Sequence, residues 1–286
     1  MFVAQDTFFR KKKLLNCRGR LLDLSGRAVM GILNLTPDSF YDKSRLAATA
    51  DAVRRAGEML GQGASILDLG AQSTRPGAEL LPADVEWNRL STSLTAIRKE
   101  FPSAFISIDT FHASVAVQAL DMGADLINDI SGGSLDPGML EIPARYNAPY
   151  ILMHLKGTPK SMQKAPHYED VTAEVLSYFS ERLALLRSKG AHDVILDPGF
   201  GFGKTLEHNF TLLKNLELFA LLECPVMAGL SRKSMVNKIL NVQPEDALNG
   251  STVLHTIALL KGVDILRVHD VKEAVEVVKL VSAVQS

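Results

Sequence analysis

Three polar residues that could recognise a flat, nitrogen-rich ring each stand at the end of an apolar run. Asp109 ends the run FISID, Asn128 follows DLI, and Asp197 ends VILD. A carboxylate can accept two parallel N–H bonds from an amino-pyrimidinone edge, and asparagine offers both a donor and an acceptor. Each aspartate could instead cap the helix that follows it. Because buried carboxylates without donors are costly, we expect a donor-rich heterocyclic ligand.

Positively charged groups that could hold an anion stand in three other segments. Lys233 and Ser234 lie where a helix is expected to begin, so backbone N–H groups would add to the lysine charge. Arg267 and His269 are two residues apart at a strand end and should point the same way. Arg75, in the segment STRPG, adds a third cation. These groups predict a site for an anionic substrate or leaving group.

The glycine-rich segment after Asp197 superficially resembles a nucleotide-binding loop. A P-loop needs glycine five residues before Gly203, where Pro198 stands, and the G-x-G-x-G spacing is not that of a dinucleotide fold. The sequence therefore argues against an ATP or NAD cradle. Asn34 could give one oxygen to Mg²⁺, which usually completes its shell with phosphate oxygens and water.

These groups are carried by a regular alternation of apolar runs and helix-period segments. The runs are continuously apolar, as expected for parallel strands covered on both faces. Eight are predicted as strands, at 28–34, 65–69, 105–109, 125–129, 149–153, 193–197, 225–230 and 264–268. Eight strand–helix units in roughly 250 residues indicate an α/β protein with a (β/α)8 TIM barrel. The alternative is an open doubly wound sheet.

The distribution of polar residues favours the barrel, in which the C-terminal ends of all strands converge on one mouth. Polar residues follow every predicted strand; they are Asn34, Gln72, Asp109, Asn128, His154, Asp197, Ser231 to Ser234, and Arg267 with His269. Segments 35–45 and 70–82 are predicted to be lids that exclude water. No linker divides the chain, so we expect one barrel domain over 28–286 and an N-terminal strand and turn extension over 1–27.

Composition excludes several classes of protein. The formal net charge of −1 gives no basic surface for nucleic acid, and no apolar run is long enough to span a membrane. The N-terminal charges follow a short apolar patch, which is not the order of a signal peptide. Two cysteines give neither a disulfide framework nor a metal site, so we expect reduced thiols and a cytoplasmic location. The basic run 10–13 and Arg232 are interpreted as solvated surface charges.

Taken together, the segments closely resemble the dihydropteroate synthase family, which are pterin-binding transferases of the folate pathway. The resemblance covers residues 28–282 and rests on the order and spacing of short motifs. They are NLTPDSF (34–40), STRPG (73–77), SIDT (107–110), INDI (127–130), MH (153–154), GTP and MQ (157–159, 162–163), DPGFGFGK (197–204), SRKS (231–234) and RVHD (267–270).

The resemblance implies a (β/α)8 barrel that joins p-aminobenzoate to 6-hydroxymethyl-7,8-dihydropterin diphosphate and releases diphosphate. It implies a dissociative substitution, in which Mg²⁺ and the cations draw diphosphate away and a carboxylate stabilises the cation left on the pterin methylene. It also implies a homodimer through helices late in the barrel, and binding of sulfonamides as mimics of p-aminobenzoate.

Individual roles carry over by motif. The pterin would be bound by Asp109, Asn128, Met153, Asp197, Lys233 and Arg267. The diphosphate would be bound by Asn34, Thr74, Arg75, Arg267 and His269, with Asn34 also contacting Mg²⁺. The p-aminobenzoate would be bound by Thr74, Arg75, Pro76, Phe202, Lys233 and Ser234. The catalytic groups would be Asp109, Lys233 and Arg75.

Two departures from the family pattern lie in the predicted lids. The family usually has Gly-Gly-Glu before Ser-Thr-Arg-Pro-Gly, whereas this chain has Gly70, Ala71 and Gln72. The family often has Asp-Gly-Gly where Asp42 is followed by Lys43 and Ser44. Two other functions therefore stay open: a methyltetrahydrofolate-dependent methyltransferase that acts on a corrinoid protein, and a non-catalytic pterin-binding paralogue. The motifs STRPG and SRKS argue against the methyltransferase.

Overall fold

The computed structural model describes residues 11–35, 42–72, 80–157, 162 and 166–285. In those ranges a two-stranded antiparallel hairpin is followed by a sheet of eight parallel strands. The hairpin strands are β1 (Leu14–Cys17) and β2 (Arg20–Asp23). The parallel strands are β3 (Ala28–Asn34), β4 (Ile66–Gly70), β5 (Phe105–Asp109), β6 (Leu126–Asp129), β7 (Tyr150–Met153), β8 (Val194–Asp197), β9 (Met227–Ala228) and β10 (Ile265–Val268).

Helices connect consecutive parallel strands and cover the outer face of the sheet. They are α1 (Asp42–Gly61), α2 (Ala83–Glu100), α3 (Ala113–Asp121), α4 (Ile142–Tyr146), α5 (Val171–Ser188), α6 (Leu206–Lys214), α7 (Ser234–Leu240), α8 (Leu248–Leu260) and α9 (Val271–Gln285). Short 3-10 helices span Pro137–Glu141, Leu216–Leu222 and Pro244–Asp246. None of the helices described is both long and apolar enough to cross a bilayer.

The sheet closes into the predicted barrel. Strands are ordered β8-β7-β6-β5-β4-β3-β10-β9, and a parallel bridge between Leu196 and Val226 joins the two outer strands. The bridge includes a bond of 2.8 Å from the Leu196 N–H to the Pro225 carbonyl. The expected strand 225–230 shortens to β9, and Pro225 itself has no N–H to give to a ladder. The barrel prediction is confirmed, and the open-sheet alternative is wrong.

An apolar layer fills the interior of the barrel near the N-terminal ends of the strands. Each of the eight parallel strands contributes to it, and the contributors are Ala28, Met30, Ile66, Phe105, Leu126, Ile151, Ile195, Met227 and Ile265. The hairpin packs on this layer through Leu15, Cys17, Leu22 and Leu24, all of them buried. The hairpin therefore closes the bottom of the barrel. The sequence predicted its second strand but not β1.

Cations at the start of the hairpin hold acids that precede the strands. Lys11 and Lys13 both pair with Asp264, with a Lys11 Nζ–Asp264 Oδ2 distance of 3.1 Å. Lys12 pairs with Asp193 at 2.7 Å. The interpretation of this basic run as purely solvated charge is therefore wrong, because folding brings it against carboxylates more than 180 residues away.

Candidate active site

A polar layer lies directly above the apolar layer, because inward-pointing side chains recur every second residue along a strand. Two residues after Ile66 comes Asp68, two after Leu126 comes Asn128, and two after Ile195 comes Asp197. Arg267 and Gly229 follow Ile265 and Met227 by the same step, and Asp109 lies four residues after Phe105. The change from apolar to polar side chains along β4, β5, β6, β8 and β10 thus builds the floor of the mouth.

A cavity at this mouth brings together all of the residues predicted to bind the pterin. About 340 Å³ at this position is free of protein atoms, a volume that includes open solvent. Its lining consists of Asp109, Asn128, Ile130, Met153, Asp197, Phe200, Phe202, Gly229, Lys233 and Arg267. All six residues predicted for the pterin, and Phe202 predicted for p-aminobenzoate, are among them.

Arg267 is held by two carboxylates in the floor of the cavity. Its Nε donates to Asp68 Oδ2 at 2.7 Å, and one terminal nitrogen donates to Asp109 Oδ2 at 2.6 Å. Asn128 Nδ2 donates to the same Asp68 oxygen at 2.9 Å. The guanidinium of Arg267 therefore lies between an acid at the mouth and an acid beneath it.

Asp197 begins the glycine-rich loop and is fixed by it. Its Oδ1 accepts from the Gly199 N–H at 2.8 Å. Gly199 has φ +71°, and a Cβ there would come within 2.2 Å of the His154 carbonyl oxygen. Two independent factors therefore exclude a side chain at this position: the left-handed backbone conformation and the lack of space beside His154.

The side chain of Lys204 is buried inside this loop and bonds to its backbone. Its ammonium donates to the carbonyls of Gly199 and Phe202, both at 3.0 Å, and lies 3.0 Å from His154 Nδ1. Burial lowers the pKa of Lys204 to about 7. The sequence motif included Lys204 but gave it no role; the structure shows that it ties the loop carrying Phe202 to the loop after β7.

Lys233 is the residue before α7, and its ammonium points back into the cavity. The Nζ atom lies 4.3 Å from the centre of the Phe202 ring, which is a cation–π contact. The next residue, Ser234, is exposed at the first position of α7. The two residues therefore face different surroundings, with only Lys233 lining the cavity.

Arg232 is not the surface charge that the sequence indicated. Its guanidinium pairs with both carboxylate oxygens of Asp270, at 2.9 and 2.7 Å. It also donates to the carbonyls of Pro244 and Glu245, at 2.9 and 3.0 Å. Arg232 thus joins the loop after β9 to Asp270, the residue that follows His269. The sequence alone could not predict this role, because the contacts join segments that are distant in the chain.

His269 follows β10 at the mouth, and only part of its side chain is exposed. Its N–H donates to Ser231 Oγ at 3.2 Å, and its Nδ1 lies 3.2 Å from the same oxygen. Partial withdrawal from water and the charge of Arg267 lower the pKa of His269 to about 4. The imidazole is therefore neutral near pH 7 until an anion binds beside it.

Burial shifts the charged groups of the cavity in opposite directions. It raises the pKa of Asp109 to about 7, against the opposing effect of Arg267, and it raises the pKa of Asp197. It lowers the pKa of Lys233 to about 8, and the charge of Arg267 acts in the same direction. Perturbed acids and bases gathered in one cavity are typical of functional sites.

Several predicted residues lie elsewhere or outside the described ranges. Thr74, Arg75 and Pro76 lie outside the described residues, as do most of the predicted lids. Asn34 ends β3 with an exposed side chain. Residues 42–45, predicted as part of a lid, belong to α1.

Gln72, which replaces an acid in the family pattern, joins the two ends of the segment 73–79. Its Oε1 accepts from the Leu81 N–H and its Nε2 donates to the Leu81 carbonyl, both at 3.0 Å. The same Nε2 donates to Glu86 Oε2 at 2.6 Å, and Glu86 is fully buried. A glutamate here would lack both donated bonds and would face a buried carboxylate.

Asp68 is the residue of the site that the sequence interpretation missed. It lies inside the apolar run ILDLG of β4, four residues before Gln72, the polar residue that was noted after this strand. The sequence did contain a sign of it, because Asp68 is the one charged residue in the predicted strand and occupies an inward-pointing position. Only the fold shows that it meets Arg267, which is 199 residues away.

A bound Mg²⁺ would find few protein ligands in this part of the molecule. Across the described residues, no group of three or more His, Cys, Asp or Glu side chains is arranged to hold a metal ion. Asn34 offers an exposed amide oxygen at the mouth. This donor set fits a metal that arrives largely coordinated by phosphate oxygens and water.

Comparison with known proteins places these observations in a family. A sequence profile described as "Pterin binding enzyme" matches residues 30–269. The dihydropteroate synthase of Escherichia coli (strain K12) is 45% identical over 274 residues, which are 95% of this chain and 96% of that protein. The chain therefore belongs to the pterin-binding enzymes and, within them, to the dihydropteroate synthase family.

Solved structures agree with this assignment. A dihydropteroate synthase of Yersinia pestis, solved as a complex with a sulfonamide drug, superposes with a TM-score of 0.89 at 41% identity. It matches 95% of this chain and 99% of its own. The Xanthomonas albilineans enzyme with 4-aminobenzoic acid gives a TM-score of 0.88 at 37% identity, over 96% and 99% of the two chains. The family and the enzyme class predicted from the motifs are confirmed.

Proposed function

We propose that this protein joins p-aminobenzoate to 6-hydroxymethyl-7,8-dihydropterin diphosphate and releases diphosphate. The observation that carries the proposal is a cavity lined by both hydrogen-bond acceptors and cations. Asp109, Asn128 and Asp197 supply the acceptors, and Lys233 and Arg267 supply positive charge. Such a cavity suits a ligand with a donor-rich ring at one end and an anion at the other.

The acceptors would bind the amino-pyrimidinone edge of the pterin. Asp197 is buried and uses Oδ1 to accept from Gly199, which leaves Oδ2 for ring N–H groups. Asn128 can accept through its amide oxygen because its Nδ2 is already directed at Asp68. Met153 and Ile130 are apolar parts of the lining and would contact the ring faces.

The reaction would begin with cleavage of the bond between the pterin methylene carbon and the diphosphate oxygen. The electron pair goes to diphosphate, and Arg267 and His269 would bind the negative charge that develops there. The cation left on the methylene would be stabilised by the carboxylate of Asp109 in a site largely shielded from water. The amine of p-aminobenzoate then forms the new C–N bond and loses a proton.

Asn34 would hold the Mg²⁺, which when bound would neutralise charge on the diphosphate. The p-aminobenzoate would lie against the ring of Phe202 and the stem of Lys233, with Ser234 at its carboxylate end. Thr74, Arg75 and Pro76 would complete this side of the site. By the same contacts, sulfonamides would bind in place of p-aminobenzoate.

A coupled assay tests the function directly. The purified protein is supplied with the pterin diphosphate, p-aminobenzoate and Mg²⁺, and the release of diphosphate is recorded. Diphosphate release that depends on p-aminobenzoate supports the proposal. Pterin binding without release would leave a non-catalytic pterin-binding protein, and methyl transfer from methyltetrahydrofolate to a corrinoid protein would favour the methyltransferase.

The ligand-edge assignment has its own test. Asp197→Ala is expected to weaken binding of the pterin diphosphate strongly, measured by calorimetry without p-aminobenzoate. Leu218→Ala, on an exposed surface away from the cavity, is the control and should bind as the unchanged protein does. Near-normal binding by Asp197→Ala would show that the pterin edge lies elsewhere.

We also propose that the protein is a homodimer through α8 and α9. These two helices pack together and expose apolar side chains at helical spacing, namely Val253, Ile257, Leu260, Leu280 and Val284. Contiguous exposed apolar surface often marks an interface. Sedimentation should give a dimer mass, and Leu280→Lys should shift it toward the monomer; a monomer in the unchanged protein would refute the dimer.

A cytoplasmic location is proposed from the thiols. Cys17 and Cys224 are both buried and unpaired, as is usual in reducing compartments. Cell fractionation with antibody detection tests this location.

A further inference from the structure

Asp68 is a fully buried carboxylate in the floor of the cavity, on β4. In the order of the sheet, β4 is two strands from β6 on one side and two strands from β10 on the other. Asn128 reaches Asp68 from β6, and Arg267 reaches it from β10, both at the same oxygen. A single carboxylate oxygen therefore links two residues that line the cavity from opposite sides.

The two acids that hold Arg267 differ in their access to the cavity. Asp109 lines the cavity, whereas Asp68 is not part of its lining. The side chain of Asp109 is 12% exposed and that of Asp68 is 0% exposed. An incoming ligand can reach the carboxylate of Asp109 directly, but it meets Asp68 only through Arg267 and Asn128.

A ligand could replace Arg267 as a donor to Asp109, which lines the cavity, but it could not do so for Asp68. The other oxygen of Asp68, Oδ1, has no hydrogen-bond partner among the described residues. The same is true of the hydroxyl Oγ of Ser107, which is the residue of β5 that pairs with Asp68 in the sheet. Loss of Arg267 would leave Asp68 as a buried carboxylate with only the amide of Asn128, a strongly unfavourable state. The Arg267–Asp68 contact should therefore persist when a ligand binds.

We propose that Asp68 is a positioning residue that keeps Arg267 and Asn128 in place while Asp109 exchanges Arg267 for the pterin. In the ligand-free protein, Arg267 bonds to both acids. When the pterin arrives, Asp109 releases the terminal nitrogen of Arg267 and accepts from the ring, and Asp68 retains Nε. This inference rests on the proposed function, because it assigns the exchange to a pterin substrate.

A purely structural role for Asp68 would leave a different signature. Loss of a buried partner alone would lower stability without altering the affinity for the pterin diphosphate. The negative charge of Asp68, together with burial and with Glu86 and Asp129, favours the protonated form of Asp109, and Arg267 opposes it. Neutralising Asp68 should therefore lower the pKa of Asp109, and it should also bind Arg267 more firmly to Asp109.

The test compares Asp68→Asn with Ser107→Ala, which removes a buried polar atom at the paired position of β5. Binding of 6-hydroxymethyl-7,8-dihydropterin diphosphate is measured by calorimetry from pH 5.5 to 9, without p-aminobenzoate. We expect Asp68→Asn to raise Kd by roughly tenfold or more, and to move the pH midpoint of binding downward. Ser107→Ala should stay within about twofold at every pH.

The outcomes separate this inference from the proposed function. If the unchanged protein does not bind the pterin diphosphate, the proposed function fails. If it binds and Asp68→Asn binds equally well with the same pH midpoint, only the positioning role fails. The titration of Asp109, followed by carbon NMR of labelled aspartate carboxyls, gives a result without any ligand; an unmoved or raised pKa in Asp68→Asn overturns the proposal.

A second measurement needs no variant and is unaffected if Asp68→Asn folds poorly. In a crystal structure of the unchanged protein with the pterin diphosphate, Arg267 Nε should remain within hydrogen-bond distance of Asp68 Oδ2. Asp109 should instead contact the pterin. An Arg267 that has left Asp68, or that still bonds to Asp109, contradicts the proposed exchange.

Discussion

Both ends of the barrel contain buried acids, but the acids meet different partners. At the N-terminal end, Asp264 is paired with Lys11 and Lys13 and also accepts from the Val226 N–H at 2.9 Å. At the C-terminal end, Asp68 and Asp109 share Arg267, and Asp68 keeps one buried oxygen with no partner among the described residues. The bottom thus neutralises its carboxylates, whereas the mouth leaves them short of donors.

Asp125 extends the same contrast. It precedes β6 at the bottom, pairs with Arg98 at 2.6 Å and Arg20 at 3.6 Å, and accepts from the Ile106 N–H at 2.9 Å. Compared with Asp109, it has more donors, and it is not part of the lining of the cavity at the mouth. The comparison indicates that Asp264 and Asp125, each paired with two cations, belong to the scaffold, whereas Asp68 and Asp109 share one cation beside a cavity where a ligand could supply further donors.

The largest expected effect is at the mouth. Lys233→Ala should lower kcat/KM for the pterin diphosphate by roughly a thousandfold, about 4 kcal/mol, because the site loses a charge close to the reacting groups. Steady-state kinetics measure the loss, and thermal unfolding should change little. Lys238→Ala, one turn further along α7, is the control. A Lys233→Ala enzyme with nearly full activity would remove this residue from the catalytic set.

The bottom should respond in stability rather than activity. Leu15→Ala removes a fully buried side chain where the hairpin packs on the apolar layer, so we expect a loss of about 3 kcal/mol in the free energy of unfolding. Urea unfolding measures it, with exposed Leu21→Ala as the matched control on the other hairpin strand. A comparable fall in kcat under stable conditions would mean that the hairpin reaches the chemistry.

Two acid-to-amide changes compare the ends directly. The pKa of Asp109 is raised to about 7, so its favourable contribution to folding is present below the unfolded value and is lost as the pH rises through 7. The amide in the Asp109→Asn variant does not titrate. The free energy of unfolding of the variant, relative to that of the unchanged protein, should therefore rise between pH 4 and 7. At pH 8 the variant should be more stable by roughly 1 kcal/mol. Urea unfolding at pH 5 and pH 8 measures this.

Asp125→Asn should behave in the opposite way. It weakens the contacts with Arg98 and Arg20, so we expect a loss of roughly 2 kcal/mol at pH 8 with unchanged kcat. If both amide variants lost stability equally at pH 8, the contrast between the two ends of the barrel would not hold.

The smallest effect on stability is expected at Lys12, on the exposed rim of the N-terminal end of the barrel. Lys12 pairs with Asp193, but its side chain is 44% exposed, so solvent screens the interaction. Lys12→Ala should change the free energy of unfolding by no more than about 0.5 kcal/mol. Chemical unfolding at low and high salt measures this change; a larger, salt-independent loss would show that even exposed pairs at this end hold the hairpin.

Strand order and the position of most site residues were predictable because they depend on local periodicity. Seven of the eight predicted parallel strands lie within one residue of the observed bounds. In α5, the apolar residues at helical spacing are buried, namely Val171, Val175, Phe179, Leu183 and Leu186. Strand alternation also places Asn128, Asp197 and Arg267 at inward positions two residues above the apolar layer. The inward direction of these cavity-lining residues therefore follows from the sequence.

Only the tertiary structure decided how those residues are paired. From the sequence alone, Arg267 could have paired with Asp68, Asp109 or Asp197. It pairs with Asp68 and Asp109 because of the way the closed barrel places their strands relative to β10. The same holds for Lys11 with Asp264 and for Arg232 with Asp270, whose partners are distant in sequence. Periodicity fixes the direction in which a side chain points, but the partner of a charge is set by distances that exist only after the chain has folded.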